Sequence, residues 1–114
     1  MKNVFYKLVV FVPQTHLEQV RIAVCNAGAG HAYRQAGKIG NYDNCAFMTS
    51  GVGTFKPLEG AKPFQGSIGK LERVGEARLE VTVAKDILDK VIEAVKMVHP
   101  YEEPVYDIYK LENV

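Results

Sequence analysis

The 114-residue chain has only two cysteines, Cys25 and Cys45. A small secreted domain stapled by disulfides needs more, so both are read as reduced thiols of a cytoplasmic protein. Neither sign of charge prevails: 14 basic against 13 acidic residues leave a formal +1. Nucleic-acid binders usually carry a basic surplus, so no nucleic-acid partner is expected. No apolar run approaches the ~18 residues of a membrane span, so no membrane partner is expected either. The apolar start, MKNVFYKLVVFVPQ, is interrupted by Lys7 and closed by Pro13. No small-residue cleavage site follows, and no signal peptide is expected.

The common chemistry-bearing motifs are also missing. A GxxxxGK[ST] phosphate loop fails, because Gly37-Lys38 has Ala32 in place of the first glycine and Ile39 in place of Ser or Thr. GxGxxG fails after Gly51-Val52-Gly53, where Thr54-Phe55-Lys56 follow. These glycines read as turn residues with positive φ, although a glycine loop can still wrap an anion through its N–H groups. There is no CxxC, HxH or HExxH pair for zinc. Ser50 and Ser67 sit in glycine-rich stretches without a nucleophile elbow. A Cys45–His99 thiolate pair has no local signature to support it. The expectation is a protein that is not an enzyme.

What is present is an ordinary globular composition, 47% apolar, in a length that suits one domain over residues 1–114. Residues 4–12 are β-branched and aromatic, with two mainly apolar faces, and predict a strand covered on both sides. Thr15-His16-Leu17-Glu18 reads as a capping box. Leu17, Val20, Val24 and Ala27 continue at helical spacing, with Gly28 and Gly30 as the stop. His16 reads as a solvated first-turn residue. Residues 42–50 predict a second strand and residues 51–70 a long glycine- and proline-rich loop. A loop of that length in a small domain is often functional. A third strand spans about 71–83, with one wet face in part. Residues 86–98 form the clearest helix, with Ile87, Leu88, Val91, Ile92, Val95 and Val98 on one stripe. Residues 105–111 close the chain as a strand. The order β-α-β-β-α-β predicts an α+β, ferredoxin-like fold with one antiparallel sheet and both helices on one face. The apolar second face of the first strand then predicts a partner surface, most simply another copy.

One short stretch concentrates titratable groups: His99-Pro100-Tyr101-Glu102-Glu103-Pro104. Pro100 biases His99 away from helix, and prolines bracket element boundaries. A corner between helix and strand accounts for all of it except the histidine and tyrosine. A ligand or metal site accounts for those two. A mixed metal site of Cys45, His99, Glu102 and Glu103 requires the fold to gather them; otherwise Cys45 is a small buried strand residue.

Three blocks occur together: Ile39-Gly40-Asn41-Tyr42-Asp43-Asn44-Cys45, Gly51-Val52-Gly53-Thr54-Phe55-Lys56-Pro57-Leu58-Glu59-Gly60-Ala61-Lys62-Pro63, and His99-Pro100-Tyr101-Glu102-Glu103-Pro104. In that order they resemble the PII/CutA-like domain inserted in bacterial members of the Nif-three-like (YqfO-type) family, and its stand-alone relatives. The last block also resembles a His-Pro-Tyr-Glu-x-Pro segment of CutA divalent-ion-tolerance proteins. The resemblance implies a ferredoxin-like fold and a homotrimer with sheets packed inward. It does not imply the activity of the full-length proteins, whose dinuclear metal site lies in the surrounding domain. In those relatives the first helix runs almost directly into the Ile-Gly-Asn-Tyr block. Here His31 to Lys38 intervene, and either lengthen the helix or make the next loop bulge.

The resulting expectation is a non-catalytic, oligomeric binding or regulatory domain, responsive to a small ligand or a divalent cation. Its ligand site would comprise Tyr42, Cys45, Gly51, Gly53, Gly60, His99, Tyr101, Glu102 and Glu103. The alternatives are metal handling through Cys45, His99, Glu102 and Glu103, a ligand-free trimerisation module, and a small enzyme with Glu102 or Glu103 as general base. A divalent metal ion is the one cofactor that this reading admits. A small molecule or another protein are the further partners.

Overall fold

A computed structural model describes residues 4–27 and 36–112. Strand β1, Phe5–Pro13, leads through a 3-10 turn, Gln14–His16, into helix α1, Leu17–Asn26. Strands β2, Phe47–Phe55, and β3, Glu72–Ala84, follow. A second 3-10 turn, Lys85–Ile87, opens α2, Leu88–Val98, and β4, Val105–Lys110, comes last. The four strands lie in the order β2-β3-β1-β4, all neighbours antiparallel. This is the α+β ferredoxin-like arrangement that the order of elements predicts.

The core follows from strand alternation. Leu8, Val10 and Val12 of β1 pair with Val81, Leu79 and Ala77 of β3, and all six point to one face. Val20 and Val24 of α1 and Val91 and Val95 of α2 lie against that face, each fully buried. On the opposite face Val9 is also fully buried, while Phe11 is half-covered, with the Arg78 guanidinium 5.7 Å over its ring. The exposed apolar groups of this face therefore lie on the edge strands: Phe47 on β2, 65% exposed, and Val105 and Tyr109 on β4.

Three expectations need correction. The capping box does not form, because a 3-10 turn precedes α1. Thr15 Oγ1 lies 2.8 Å from His16 Nδ1, and no side chain caps the helix N-terminus. The second strand runs Phe47–Phe55 and not over residues 42–50, with Phe47 opposite Glu80 and Phe55 opposite Glu72. Gly51 and Gly53 are thus strand residues, outside the set of positive-φ glycines that includes Gly37, Gly40, Gly60, Gly66 and Gly69. Regular pairing with β3 overrides the local turn signal of glycine. Finally, α1 ends at Asn26 with Ala27 extended. The stop glycines Gly28 and Gly30, and residues 31–35 of the inserted stretch, lie outside the described residues.

Leu79 is fully buried at the centre of the sheet between the two helices. We expect Leu79→Ala to lower unfolding free energy by roughly 3 kcal/mol. Urea denaturation should show this as a lower midpoint at unchanged slope.

Candidate functional site

Helix α2 ends where the residue before Pro100 turns extended: His99 has φ −70° and ψ 132°, and its N–H still bonds the Val95 carbonyl at 2.8 Å. That exit aims the imidazole back at the end of β1, where it is 7% exposed. His99 Nε2 lies 2.7 Å from the Phe11 carbonyl oxygen, and Nδ1 accepts the Tyr101 N–H at 3.1 Å. A carbonyl can only accept and an amide N–H can only donate, so the ring is the neutral Nε2–H tautomer. Both nitrogens are engaged, which leaves His99 none for a metal. Burial pulls its pKa below 6.5, opposed by the Phe11 bond and by the Glu76 charge, with His16 adding to the lowering.

The turn that follows places Tyr101 between sheet and loop. Its hydroxyl donates to Glu76 Oε2 at 2.6 Å. Burial, and then the bond to and charge of Glu76, push the phenol well above its ordinary pKa, so it stays a donor. The Tyr101 ring centroid is 4.9 Å from His99, 6.0 Å from Phe55 and 6.3 Å from Phe64. Glu76 projects from β3 across β2 and lies directly over Gly53. A Cβ on Gly53 would fall 1.6 Å from Glu76 Oε1. Glu102 Oε1 in turn accepts the Lys62 N–H at 3.0 Å.

That last bond ties the corner to the loop of residues 56–71. The loop is further held by Gly69 N–H to the Pro57 carbonyl at 2.8 Å and by the edge of Phe64 against His16, centroids 5.4 Å apart. Gly60, at φ +97°, supplies the turn that lets Ala61 N–H reach the Leu58 carbonyl. Between the loop, the ends of β1, β2 and β3 and the corner lies a cleft of about 550 Å³. Its walls are mainly apolar, with Phe11, Phe55, Pro57, Leu58, Phe64 and Tyr101 among them. Glu76, Glu102, Glu103 and Lys56 are the charged residues on its lining.

The sequence-predicted residues divide into two groups. Gly53, Tyr101, Glu102 and Glu103 border the cleft, His99 supports Tyr101 from below, and Gly60 shapes the loop. Gly51 is adjacent, in a smaller hollow of about 340 Å³ that shares Gly53 and Glu76. Tyr42 and Cys45 lie elsewhere. Tyr42 is 75% exposed and pairs with Ile39 through two backbone bonds. Cys45 is half-buried; its N–H bonds Gly37, whose own N–H bonds Thr82, the partner of Lys7 on β1. His99 meets β1 at Phe11, four positions further along, or about 14 Å. The mixed set of Cys45, His99, Glu102 and Glu103 is therefore not gathered. Among the described residues no three His, Cys, Asp or Glu side chains converge to hold a metal ion. Sequence reasoning missed Phe11, Phe55, Phe64 and Glu76. Phe64 and Phe55 lay within stretches already singled out, but only strand register could bring Glu76 to Gly53.

No family model matches the chain. A "GTP cyclohydrolase 1 type 2 homolog" from Bacillus subtilis (strain 168) is 53% identical over 107 residues, 94% of this chain and 27% of that protein. The chain thus spans about a quarter of the length of the curated relatives it matches. A Bacillus cereus protein described as related to NIF3 superposes with a TM-score of 0.80 at 46% identity, over 97% of this chain and 26% of that one. The periplasmic divalent cation tolerance protein CutA from Archaeoglobus fulgidus gives 0.64 at 15% identity, over 96% and 86%. The Bacillus subtilis GlnK–ATP complex gives 0.59 at 12%, over 99% and 88%. These last two share the fold.

Since burial lowers the His99 pKa, protonation is harder in the folded chain than in the unfolded one. The unfolded state then binds more protons below about pH 6.5, and stability falls as pH drops from there toward the folded pKa. We expect unfolding free energy to be flat from pH 8 to 7 and to decline from 6.5 to 5. His99→Gln, which keeps a donor and an acceptor but does not titrate, should flatten that part of the curve. An unchanged slope would show that His99 is not the group responsible.

Proposed function

We infer that this chain, a PII/CutA-like domain of the Nif-three-like family, is a non-catalytic binding and regulatory domain. Its ligand is a small molecule held in the cleft between the loop of residues 56–71 and the corner at Tyr101. The observation that carries this reading is the half-open cleft itself. A mainly apolar hollow of about 550 Å³ with a few polar groups on its rim has the dimensions and lining of a small-molecule site.

The regulatory element is the loop. The bonds from Lys62 to Glu102 and from Gly69 to Pro57 are each worth about 1 kcal/mol net. A ligand that prefers one loop arrangement by roughly 1–3 kcal/mol is enough to reset its population. The changed loop surface is then what a partner reads. Self-association, as a trimer in the cytoplasm, uses the sheet face that carries Phe47, Val105 and Tyr109. A divalent cation is the weaker ligand reading: Glu76, Glu102 and Glu103 border the cleft but do not converge as a ligand set among the described residues.

Native mass spectrometry with phenethylammonium, zinc, copper and ATP added in turn, paired with limited proteolysis of residues 56–71, tests this. A trimer that gains stoichiometric mass, with slower loop cleavage, is the expected result. A monomer that gains none of these masses and is cleaved at an unchanged rate would overturn the reading.

A further inference from the structure

Resting on the reading of the cleft as a ligand site, we infer that it takes a small organic cation: an ammonium or amidinium group on an apolar or aromatic body. The charge on the lining is lopsided. Three acidic residues, Glu76, Glu102 and Glu103, face the hollow against one base, Lys56, in a chain whose overall charge is nearly balanced. The apolar wall is aromatic as well, with the rings of Phe55 and Phe64 each about 6 Å from Tyr101. Aromatic walls combined with carboxylates are the means by which proteins recognise ammonium groups, through the negative faces of the rings and a charge-assisted hydrogen bond.

Glu76 is the anchor of this arrangement. One of its oxygens is fixed by the Tyr101 hydroxyl, and the other lies over Gly53, where a side chain would displace it. A carboxylate that accepts one hydrogen bond still has free lone pairs for a ligand N–H. Tyr101 is itself set by His99, so the carboxylate reaches the cleft in a fixed position. An anion would meet three carboxylates. A bare divalent ion would need several converging oxygens, and among the described residues no such group of side chains assembles. An organic cation satisfies both the rings and the acids.

Ligand-observed NMR on the whole chain can compare phenethylammonium with its neutral and anionic counterparts, 2-phenylethanol and 3-phenylpropionate, and with ATP. The expected result is that the ammonium binds at least about tenfold tighter than the alcohol or the acid (about 1.4 kcal/mol). Glu76→Gln should abolish that preference. Gly53→Ala should weaken it while the chain stays folded, because the displaced atom is the end of a flexible side chain. Preferential binding of 3-phenylpropionate or ATP would overturn the cation assignment and leave the cleft as a ligand site. Failure of every probe to bind would overturn both. Ammonium binding that is indifferent to Glu76→Gln would place the cation elsewhere and also overturn the assignment.

Discussion

One imidazole holds the working end of this molecule together. His99 leaves α2, donates to the Phe11 carbonyl near the end of β1, and accepts the N–H of the residue that enters the cleft. Three separate segments meet on that ring: the end of α2, the end of β1 and the start of the corner. A neutral imidazole carries one donor and one acceptor on a single rigid ring, so it can join a carbonyl to an amide N–H. The requirement for an opposed pair also explains why the ring must stay neutral. A proton on Nδ1 would point at the Tyr101 N–H, and the burial that tightens the contact adds to the penalty.

From that ring the structure extends outward in a chain of dependencies. Tyr101 is oriented by His99 and orients Glu76. Glu76 needs the empty space over Gly53. Glu102, on the same turn, reaches the loop backbone at Lys62. A helix terminus thus sets the position of a carboxylate on the third strand and of a loop between the second and third. Partly buried polar networks such as the one joining Phe11, His99, Tyr101 and Glu76 gain from every satisfied member and lose when one is removed. The site therefore depends on residues that never touch the hollow.

The architecture was legible in the sequence because hydrophobic period is a local property. The stripe of Val91 and Val95 on α2 and the alternation in β3 each state which face is buried. The limits of β2 were not legible. Its residues are mostly exposed, so no burial period marks it, and Gly51 and Gly53 mimic a turn. Its register is set by β3, through bonds between residues some 25 positions apart. The candidate site was half legible for the same reason. Its corner is one contiguous motif, so Tyr101, Glu102 and Glu103 were found together. Phe11 and Glu76 enter only through strand pairing. Tyr42 was grouped with the corner on family resemblance and Cys45 also as a metal-ligand residue type, and the backbone path through Gly37 and Thr82 puts them toward the other end of β1.

The three motif blocks nevertheless have a common object, which is β2. It lies at the edge of the sheet and buries little of its own surface, so pairing with β3 alone leaves both its ends weakly held. The first block is the approach to its start. Gly40 and Asn44 both take positive φ there, and Cys45 bonds back to Gly37 two residues before the strand begins. The second block is its far half and the loop beyond. The third anchors that loop and sets the carboxylate that lies on Gly53. Motifs that do not share a site can thus share a strand. A resemblance read from such blocks reports the fold more reliably than it reports a ligand set, because fixing an edge strand requires particular residues at both of its ends whether or not anything binds at either.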